Sequence, residues 1–543
     1  MGAFLGSIWG PLLISLVLGL PRLRFPMGDD AAVFANAAQT ILNGGTLYRD
    51  IWFNGLPLNP LLFAALGKIC GLNTVTPHLL HLLESLAGVA LVYFAGNLAL
   101  GRKQGLYGAY VFGLVSMLFV TFDVVAEPEF LAGLAGIVAT ILLLIGLDRQ
   151  QRKLESGYGD GMLILGAGIV SGVAISAKPV ALPLVIVSLF WIWNYHRRFR
   201  FRHIFYYTLG TAIVPFALLI WLATGDAIGD MIEQFVVWNS YYARDREPFP
   251  TWMLRQVMLA LFLLGPVLPL AATGGALMTR ELNGKRVWLL LWAGAGVATV
   301  AIQPNPWSYH WFLALPALCL LAADAVVNAR KVLESRPLFW ALGLSIAISA
   351  ISMQAVADNG GKSVLAIRSL FPGGSEAEFW DEFPCMGGTM ADVKQVTSYL
   401  ADHTNESDPV FIWMPTSAYA MAERRPASKY TFLWPLVYGP EESRARARNE
   451  LMSDLRENRP HYIVLPVGKG WYWRMVNMSF SLDPFPELVD FVATNYNLDV
   501  VLAESAIYRL REQAALHVKS PSASTLYTNL SNPPSEMQEE GAL

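Results

Sequence analysis

Two adjacent aspartates, Asp29 and Asp30, occur in the stretch FPMGDDAAVFANAAQTI, directly after the first apolar run of the chain. An aspartate before a helix often caps it, because the carboxylate accepts a backbone N–H bond and complements the helix dipole. One cap accounts for only one of them, and adjacent like charges repel each other near a low-dielectric surface. Carboxylates held there are able to take a proton from a hydroxyl group or to help bind a divalent cation. The pair is therefore a candidate for general-base or metal chemistry.

Three other polar groups lie at the ends of apolar segments. Glu127 is part of Glu127-Pro128-Glu129, a combination that is also common at ordinary helix starts. Lys178 is a single cation between two apolar segments, where it either extends to the membrane surface or binds a phosphate in a cavity. His310 precedes another apolar segment and is either an interfacial histidine or a contact for a phosphate or an acceptor.

An aromatic and polar loop, VVWNSYYARDREPFPTW, covers residues 236 to 252. Tryptophan and tyrosine are common at membrane interfaces without any further function. Aromatic faces with convergent polar groups are also typical of ligand sites, sugars included. The loop therefore supplies four candidate substrate-binding residues, which are Trp238, Tyr241, Tyr242 and Arg244.

The composition predicts a multi-pass membrane protein. The chain has 543 residues, of which 15% are charged, and a mean hydropathy of +0.41, which is too apolar for an ordinary soluble enzyme. The net charge of −3 and the lack of a Lys/Arg-rich block argue against nucleic acid as a partner. The three cysteines, Cys70, Cys319 and Cys385, lack the spacing of a zinc site.

About eleven apolar segments are long enough to span a bilayer. They cover approximately residues 3–20, 78–100, 106–122, 129–147, 161–177, 180–195, 204–223, 253–278, 287–302, 308–327 and 337–355. Five connecting loops rich in lysine and arginine lie on one side, which the positive-inside rule makes cytoplasmic. The candidate residues and everything after residue 355 are then predicted on the non-cytoplasmic side of a bacterial inner membrane.

The remaining segments are predicted as follows. Residues 21–77 form a first outer loop with two interfacial helices, one over 31–42 and a second over 56–71, which is too short and proline-broken for a span. The membrane domain ends at 355, and 356–511 form a small α/β domain with alternating helix and strand patterns. Residues 512–543 are rich in Ser, Pro, Asn and Glu, which is typical of disorder. The predicted fold class is a mainly α polytopic bundle with a small C-terminal α/β domain.

The run GDDAAVFANAAQTILNGGTLYRDIWFNGLPLNPLLFAALGKI resembles the first outer loop of integral-membrane glycosyltransferases of the C superfamily. This group includes the protein O-mannosyltransferases and the aminoarabinose transferases. EPEF, AKPVALPL, HWFLALPAL and the AYAMAERRPASKYTF stretch match further parts of its members, so the resemblance extends to about residue 511. Phosphate-loop, dinucleotide, zinc-protease and serine-hydrolase motifs are absent from the sequence.

The resemblance implies transfer of a sugar from a polyprenyl-phosphate carrier to an acceptor on a glycan, lipid or protein, on the non-cytoplasmic face and usually with inversion. By position, Asp29 would be the general base, and Asp30 its polar or metal-binding partner. Glu127 would be a second acid, while Lys178 and His310 would hold the lipid phosphate. Tyr48 and Arg49 match a Tyr-Arg-Asp segment of the family. A divalent cation is permitted by the paired carboxylates but not required.

The chain also departs from the family pattern. Many relatives carry an acid and a lysine where this chain has Phe53, Asn54 and Gly55, and His-Tyr where it has His310-Trp311. A transporter or lipid flippase belongs to a different class of protein. Such a protein is expected to have functional charges near the bilayer midplane and broken helices in two halves related by an internal repeat. The candidate charges here lie at the ends of predicted spans, which favours the transferase.

Overall fold

The computed structural model describes most of the chain. The described residues are 2–151, 158–195, 199–244, 248–303, 305, 307–334, 336–385, 388–413, 415–467, 472–473, 478–479, 482, 485–503 and 505–511. The protein is mainly α-helical with a small sheet near its C-terminus. The tail 512–543, predicted to be disordered, lies outside the described residues.

A bundle of apolar helices forms the larger part of the molecule. Its main helices are Trp9–Gly19, Val75–Ala99, Arg102–Leu118, Pro128–Gln151, Tyr158–Ala177, Leu182–Tyr195, Arg200–Thr224, Phe249–Leu264, Val267–Met278, Gly284–Ala301, Leu315–Val327 and Arg336–Arg368. Within the described residues, three helices are long and apolar enough to cross a membrane: Val75–Ala99, Pro128–Gly146 and Arg200–Thr224. Several shorter apolar helices accompany them. The fold is that of a helical membrane protein, and the count of eleven spans stays a prediction.

Two predicted spans differ from the helices observed. Residues 253–278, predicted as one span, form two helices that break at Gly265 and Pro266. Gly265 has φ +49°, and a proline cannot donate the backbone bond that would continue the first helix. The helix Arg336–Arg368 continues past residue 355, so the predicted domain boundary falls inside one continuous helix.

Close backbone packing positions the helix that ends beside Lys178. The helices Tyr158–Ala177 and Arg200–Thr224 approach each other through glycines. A Cβ added at Gly168 would collide with the carbonyl oxygen of Tyr207, and one at Gly172 would lie 2.6 Å from the carbonyl oxygen of Thr211. Small residues at such crossings are typical of membrane helices, which gain most from close van der Waals packing.

The first loop contains the two helices predicted from its pattern. The first is Asp29–Leu42, and the second is Leu58–Cys70. Gly44 and Gly71 follow them with φ of +82° and +79°, a backbone conformation that glycine adopts at little cost. These two helices therefore end where the glycines allow the chain to turn.

The C-terminal domain is an α/β unit, as its alternating pattern predicts. Its sheet has the spatial order Val410–Ile412, Tyr462–Pro466, Ser505–Leu510 and Tyr496–Leu502, with the first pair parallel and the others antiparallel. Its helices are Glu376–Asp381, Met390–His403, Ser417–Ala422, Trp434–Val437, Glu441–Asn458 and Pro486–Asn495. Short two-stranded pairs lie at Pro384–Cys385 with Gly388–Thr389 and at Tyr472–Trp473 with Met478–Ser479.

The first loop and the C-terminal domain share one hydrophobic core. Phe34 and Trp52 of the loop belong to the same buried cluster as Trp413 and Phe432 of the domain. The backbone N–H of Trp52 also donates to the Lys429 carbonyl at 3.0 Å. The loop is thus held between the helical bundle and the domain, and this arrangement places Asp29 and Asp30 at their junction.

Candidate active site

A cavity of about 650 Å³ lies where the bundle, the first loop and the C-terminal domain meet. We call it the junction cavity. Six of the residues predicted from the sequence line it: Asp29, Asp30, Glu127, Lys178, Tyr242 and His310. They come from five separate parts of the chain. A volume in this range is typical of small-molecule sites.

Lys178 is the cation of the junction cavity, and Glu129 is its partner. Lys178 Nζ lies 2.9 Å from Glu129 Oε1, and the Glu129 side chain is fully buried. Nε2 of His310 lies 3.8 Å from the same oxygen. Burial lowers the pKa of the Lys178 ammonium, but Glu129 and Glu127 outweigh it and raise the pKa above its usual value. Lys178 is therefore a permanent positive charge with 31% of its side chain exposed.

Asp30 and Glu127 lie in the field of several other carboxylates. Asp30 is open to the cavity but surrounded by protein, and this burial, with the charges of Asp123 and Asp29, raises its pKa to about 7. The pKa of Glu127 is raised well above its usual range by burial and by the charges of Asp30 and Glu129. Oε1 of Glu127 has no hydrogen-bond partner among the described residues. Asp30 is thus able to exchange a proton near neutral pH, whereas the surroundings of Glu127 favour its protonated form.

Asp29 has different surroundings from Asp30. Its Oδ1 accepts a hydrogen bond of 3.1 Å from the backbone N–H of Ser417, in the C-terminal domain. The helix after it begins at Asp29 itself, with Gly28 as N-cap and no side-chain cap bond, so the capping interpretation of the pair is not confirmed. The two neighbouring carboxylates therefore face different parts of the site: Asp29 the domain, and Asp30 the cluster around Lys178.

Asp29 and Asp30 do not by themselves complete a divalent-cation site among the described residues. The paired carboxylates have separate partners, since Ser417 holds Asp29 while Asp30 interacts with Lys178 and Asp123. Across the described ranges, no group of three or more His, Cys, Asp or Glu side chains is arranged to hold a metal ion. The metal role of Asp29 and Asp30 therefore stays a prediction.

Five predicted substrate-binding residues lie outside the residues that line the junction cavity. Tyr48 is fully buried, and its hydroxyl donates to the Gly55 carbonyl at 2.7 Å. Arg49 is exposed and pairs with Asp50 at 3.2 Å. Trp238 lies behind Tyr242, with their rings stacked at 5.7 Å. The other two, Tyr241 and Arg244, are exposed.

The site also includes residues that sequence reasoning missed. Glu129, part of the predicted helix start, does not line the cavity, but its carboxylate lies 2.9 Å from Lys178 Nζ and is the counter-ion of that lysine. Asn305, Trp307 and Tyr309 line the wall beside His310, and Phe432 and Trp434 reach it from the C-terminal domain. The sequence QPNPWSYH carried a signal for the first three in its aromatic and amide content. Only the folded chain brings the last two to the site.

A strained residue precedes Glu127. Ala126 has φ +58°, a left-handed conformation that is unfavourable for a residue with a Cβ. The buried Asn59, from the second loop helix, donates from Nδ2 to the Ala126 carbonyl at 2.9 Å. Strained backbone persists where its surroundings hold it. Asn59 is therefore placed to keep Glu127 directed at the cavity.

The architecture combines a helical bundle, a first loop of two helices, and a C-terminal α/β domain that closes a cavity. The fold expected from the resemblance is confirmed by a likeness to solved structures.

The structure is similar to that of ArnT from Cupriavidus metallidurans bound to undecaprenyl phosphate, with a TM-score of 0.59 and 11% identity, covering 94% of this chain and 98% of that chain. ArnT in the apo state gives a TM-score of 0.58 over the same shares of the two chains, again at 11% identity. AglB from Archaeoglobus fulgidus, in complex with an inhibitory peptide and a dolichol-phosphate, gives a TM-score of 0.48 at 12% identity. The match covers 96% of this chain and 77% of that chain. Neither a protein-family model nor a curated protein matches the sequence.

Proposed function

We propose that this protein is a membrane glycosyltransferase that moves a sugar from a polyprenyl-phosphate carrier to an acceptor hydroxyl. The transfer takes place on the non-cytoplasmic face, with the N-terminus of about eleven spans in the cytoplasm and the C-terminal domain outside. The fold shared with ArnT, which was solved with undecaprenyl phosphate, supports a lipid-phosphate donor.

One observation carries the proposal: the junction cavity brings together a buried cation and several carboxylates. The Lys178 ammonium, beside His310, offers a site for the phosphate that leaves the sugar. A leaving phosphate is a stable anion, which needs positive charge more than it needs a proton. An attacking hydroxyl needs a base instead, and Asp29 and Asp30 line the same cavity.

We assign the base to Asp29. In an inverting displacement, the attacking oxygen and the leaving phosphate lie on opposite sides of the anomeric carbon. Asp30 interacts electrostatically with Lys178, whereas Asp29 is bound by Ser417 of the C-terminal domain. The backbone N–H of Ser417 fixes the orientation of the Asp29 carboxylate on the side from which an external acceptor arrives. Asp30 and Glu127 then set the electrostatic field around the phosphate.

This assignment gives a pH dependence for donor binding. Asp30, with a pKa of about 7, is neutral below that pH and negatively charged above it. An anionic donor is repelled by the charged form, so the KM for the donor should rise as the pH increases through 7. In Asp30→Asn that rise should flatten, because the amide does not titrate. A donor KM that is equally pH-dependent in Asp30→Asn would contradict this role.

Asn59 should act through Glu127. Without its hydrogen bond to Ala126, the strained turn can relax and move Glu127, which should lower kcat about tenfold or more. Adding Ala126→Gly to Asn59→Ala should restore part of the rate, because glycine holds φ +58° without strain. The exposed Asn43 provides the matched control, Asn43→Ala. If the double variant is no faster than Asn59→Ala, the turn does not position Glu127.

The proposed function is tested with purified protein and a panel of polyprenyl-phosphate sugars. Each donor is incubated with water alone and with saccharide, peptide and lipid acceptors. Release of the polyprenyl phosphate and the position of the sugar are followed by mass spectrometry. We expect at least one donor to be consumed, and consumption to require Asp29. If no donor is consumed by protein that is folded and reconstituted in lipid, the proposal fails.

A second candidate function, lipid transport, has one observation in its favour. Glu84 and His81 are buried within Val75–Ala99, a helix able to cross a membrane, and Glu84 Oε2 has no hydrogen-bond partner among the described residues. Ionisable groups inside membrane helices commonly mark transport pathways. Proteoliposomes with a fluorescent polyprenyl phosphate distinguish the functions. Transport that is lost in Glu84→Gln and kept in Asp29→Asn would favour the transporter.

A further inference from the structure

A row of aromatic side chains leads away from Lys178 along one side of the junction cavity. Lys178 Nζ lies 5.8 Å from the centre of the Tyr309 ring, and Trp307 stacks on Tyr309 at 6.3 Å with only 8° between the planes. Nε1 of Trp307 donates to the Tyr242 hydroxyl at 3.2 Å, and Tyr242 contacts Trp434 at 5.7 Å. We call Tyr309, Trp307, Tyr242 and Trp434 the aromatic wall.

The aromatic wall crosses from the helical bundle to the C-terminal domain. Tyr309 and Trp307 precede the helix Leu315–Val327, whereas Trp434 begins a short helix of the domain and stacks on Phe432 at 5.1 Å. Both Trp434 and Phe432 line the junction cavity. A sugar attached directly to a phosphate at Lys178 would lie near Tyr309. Two rings, those of Trp307 and Tyr242, separate Trp434 from Tyr309, so the Trp434 part of the wall is available to a second molecule.

A buried amide adjoins this wall. Asn305 is 4% exposed, and its Nδ2 has no hydrogen-bond partner among the described residues. It lines the same cavity, two positions before Trp307. A buried donor without a partner is unfavourable, and a hydrogen bond to a ligand oxygen would remove that cost. An aliphatic chain offers no such acceptor, so the amide argues for an oxygen-bearing ligand against the aromatic rings.

From this geometry we infer that the Trp434 end of the aromatic wall, with Asn305, binds a sugar ring of a carbohydrate acceptor. Aromatic rings pack against the C–H faces of a pyranose or furanose, while the Asn305 amide donates to one of its hydroxyls. The inference rests on the proposed function and names the acceptor class, which that proposal leaves open. A simple lipid alcohol has a single oxygen, which attacks the donor sugar, and it would therefore leave the Asn305 amide unused.

The reaction on such an acceptor balances without a further reactant. The acceptor hydroxyl oxygen attacks the anomeric carbon of the donor sugar, and its proton passes to the Asp29 carboxylate. The bond between the anomeric carbon and the phosphate oxygen breaks, and its electron pair leaves with the polyprenyl phosphate, beside Lys178. The product is a glycosidic bond between two sugars.

The test compares acceptors with a donor that the panel has shown to be consumed. The probes are methyl glycosides of common hexoses and pentoses, a peptide containing serine and threonine, and a long-chain alcohol. We expect transfer to at least one methyl glycoside. Trp434→Ala should raise the KM for that glycoside about tenfold, and Asn305→Ala about fivefold, with smaller effects on kcat.

Two further measurements separate binding from structure. The exposed Trp340, on the helix Arg336–Arg368, gives the control Trp340→Ala, which should leave the glycoside KM unchanged. Asn305→Ala should raise the KM without lowering Tm, because it removes a donor that has no partner among the described residues. A purely structural asparagine would lower Tm instead.

The outcomes are distinct. Transfer to the peptide or the alcohol but not to any glycoside would overturn the carbohydrate inference and leave the proposed function standing. An unchanged glycoside KM in both Trp434→Ala and Asn305→Ala would overturn the assigned position. Failure of the wild-type protein to consume any donor would overturn the proposed function and this inference with it.

Discussion

Replacing Asp29 with asparagine is expected to lower the rate of sugar transfer by about 10²–10⁴-fold, the usual contribution of a general base. The amide oxygen of asparagine can still accept the N–H of Ser417, so the fold and the contact with the C-terminal domain should persist. What is lost is the capacity to take a proton from the acceptor. The measurement is the initial rate with saturating donor and acceptor, together with the KM for the donor, which should change little.

The matched control is Asp50→Asn. Asp50 lies in the same loop and its side chain is 41% exposed, but it pairs with Arg49 outside the residues lining the junction cavity. Its replacement should leave the rate within about twofold, as for most surface substitutions. A full rate in Asp29→Asn, with a large loss in Asp30→Asn, would move the base to Asp30. Full transfer rates in both Asp29→Asn and Asp30→Asn would exclude both aspartates as the general base.

Replacing Lys178 with methionine is expected to lower kcat about 10²–10³-fold, because the leaving phosphate loses its nearest cation. The KM for the donor should rise as well, since the same charge attracts the phosphate before reaction. Lys178→Met also leaves the buried Glu129 without its partner, at a cost of about 3–5 kcal/mol in stability. Activity must therefore be read together with Tm.

The double variant Lys178→Met/Glu129→Gln separates these effects. It removes both charges of the pair, so Tm should recover relative to Lys178→Met while the rate stays low. Lys331→Met, which removes a lysine paired with Glu281 at an exposed position, is the control for loss of a positive charge. If the double variant recovers the rate together with Tm, the role of Lys178 is structural and it does not bind the leaving phosphate.

Several elements followed from local patterns. The two helices predicted in the first loop, over 31–42 and 56–71, are observed as Asp29–Leu42 and Leu58–Cys70. Such helices can be predicted because amphipathic spacing and flanking glycines or prolines mark a helix within a few turns of local sequence. The single span predicted over 253–278 was wrong because apolar content does not reveal a break, although Gly265 and Pro266 carried the signal.

The sequence by itself determined the class of this protein: a helical membrane chain with an α/β domain and with acids, a lysine and a histidine at the ends of apolar segments. Composition and hydrophobic periodicity are local properties of the sequence, and they are sufficient to identify these features. Only the tertiary structure decided which of these groups meet. The folded chain pairs Lys178 with Glu129, gives Asp29 and Asp30 different partners, and brings Trp434 to the cavity. Ser417 and Asp29 are 388 positions apart, and a contact of that kind arises from the packing of whole elements, which no local pattern encodes.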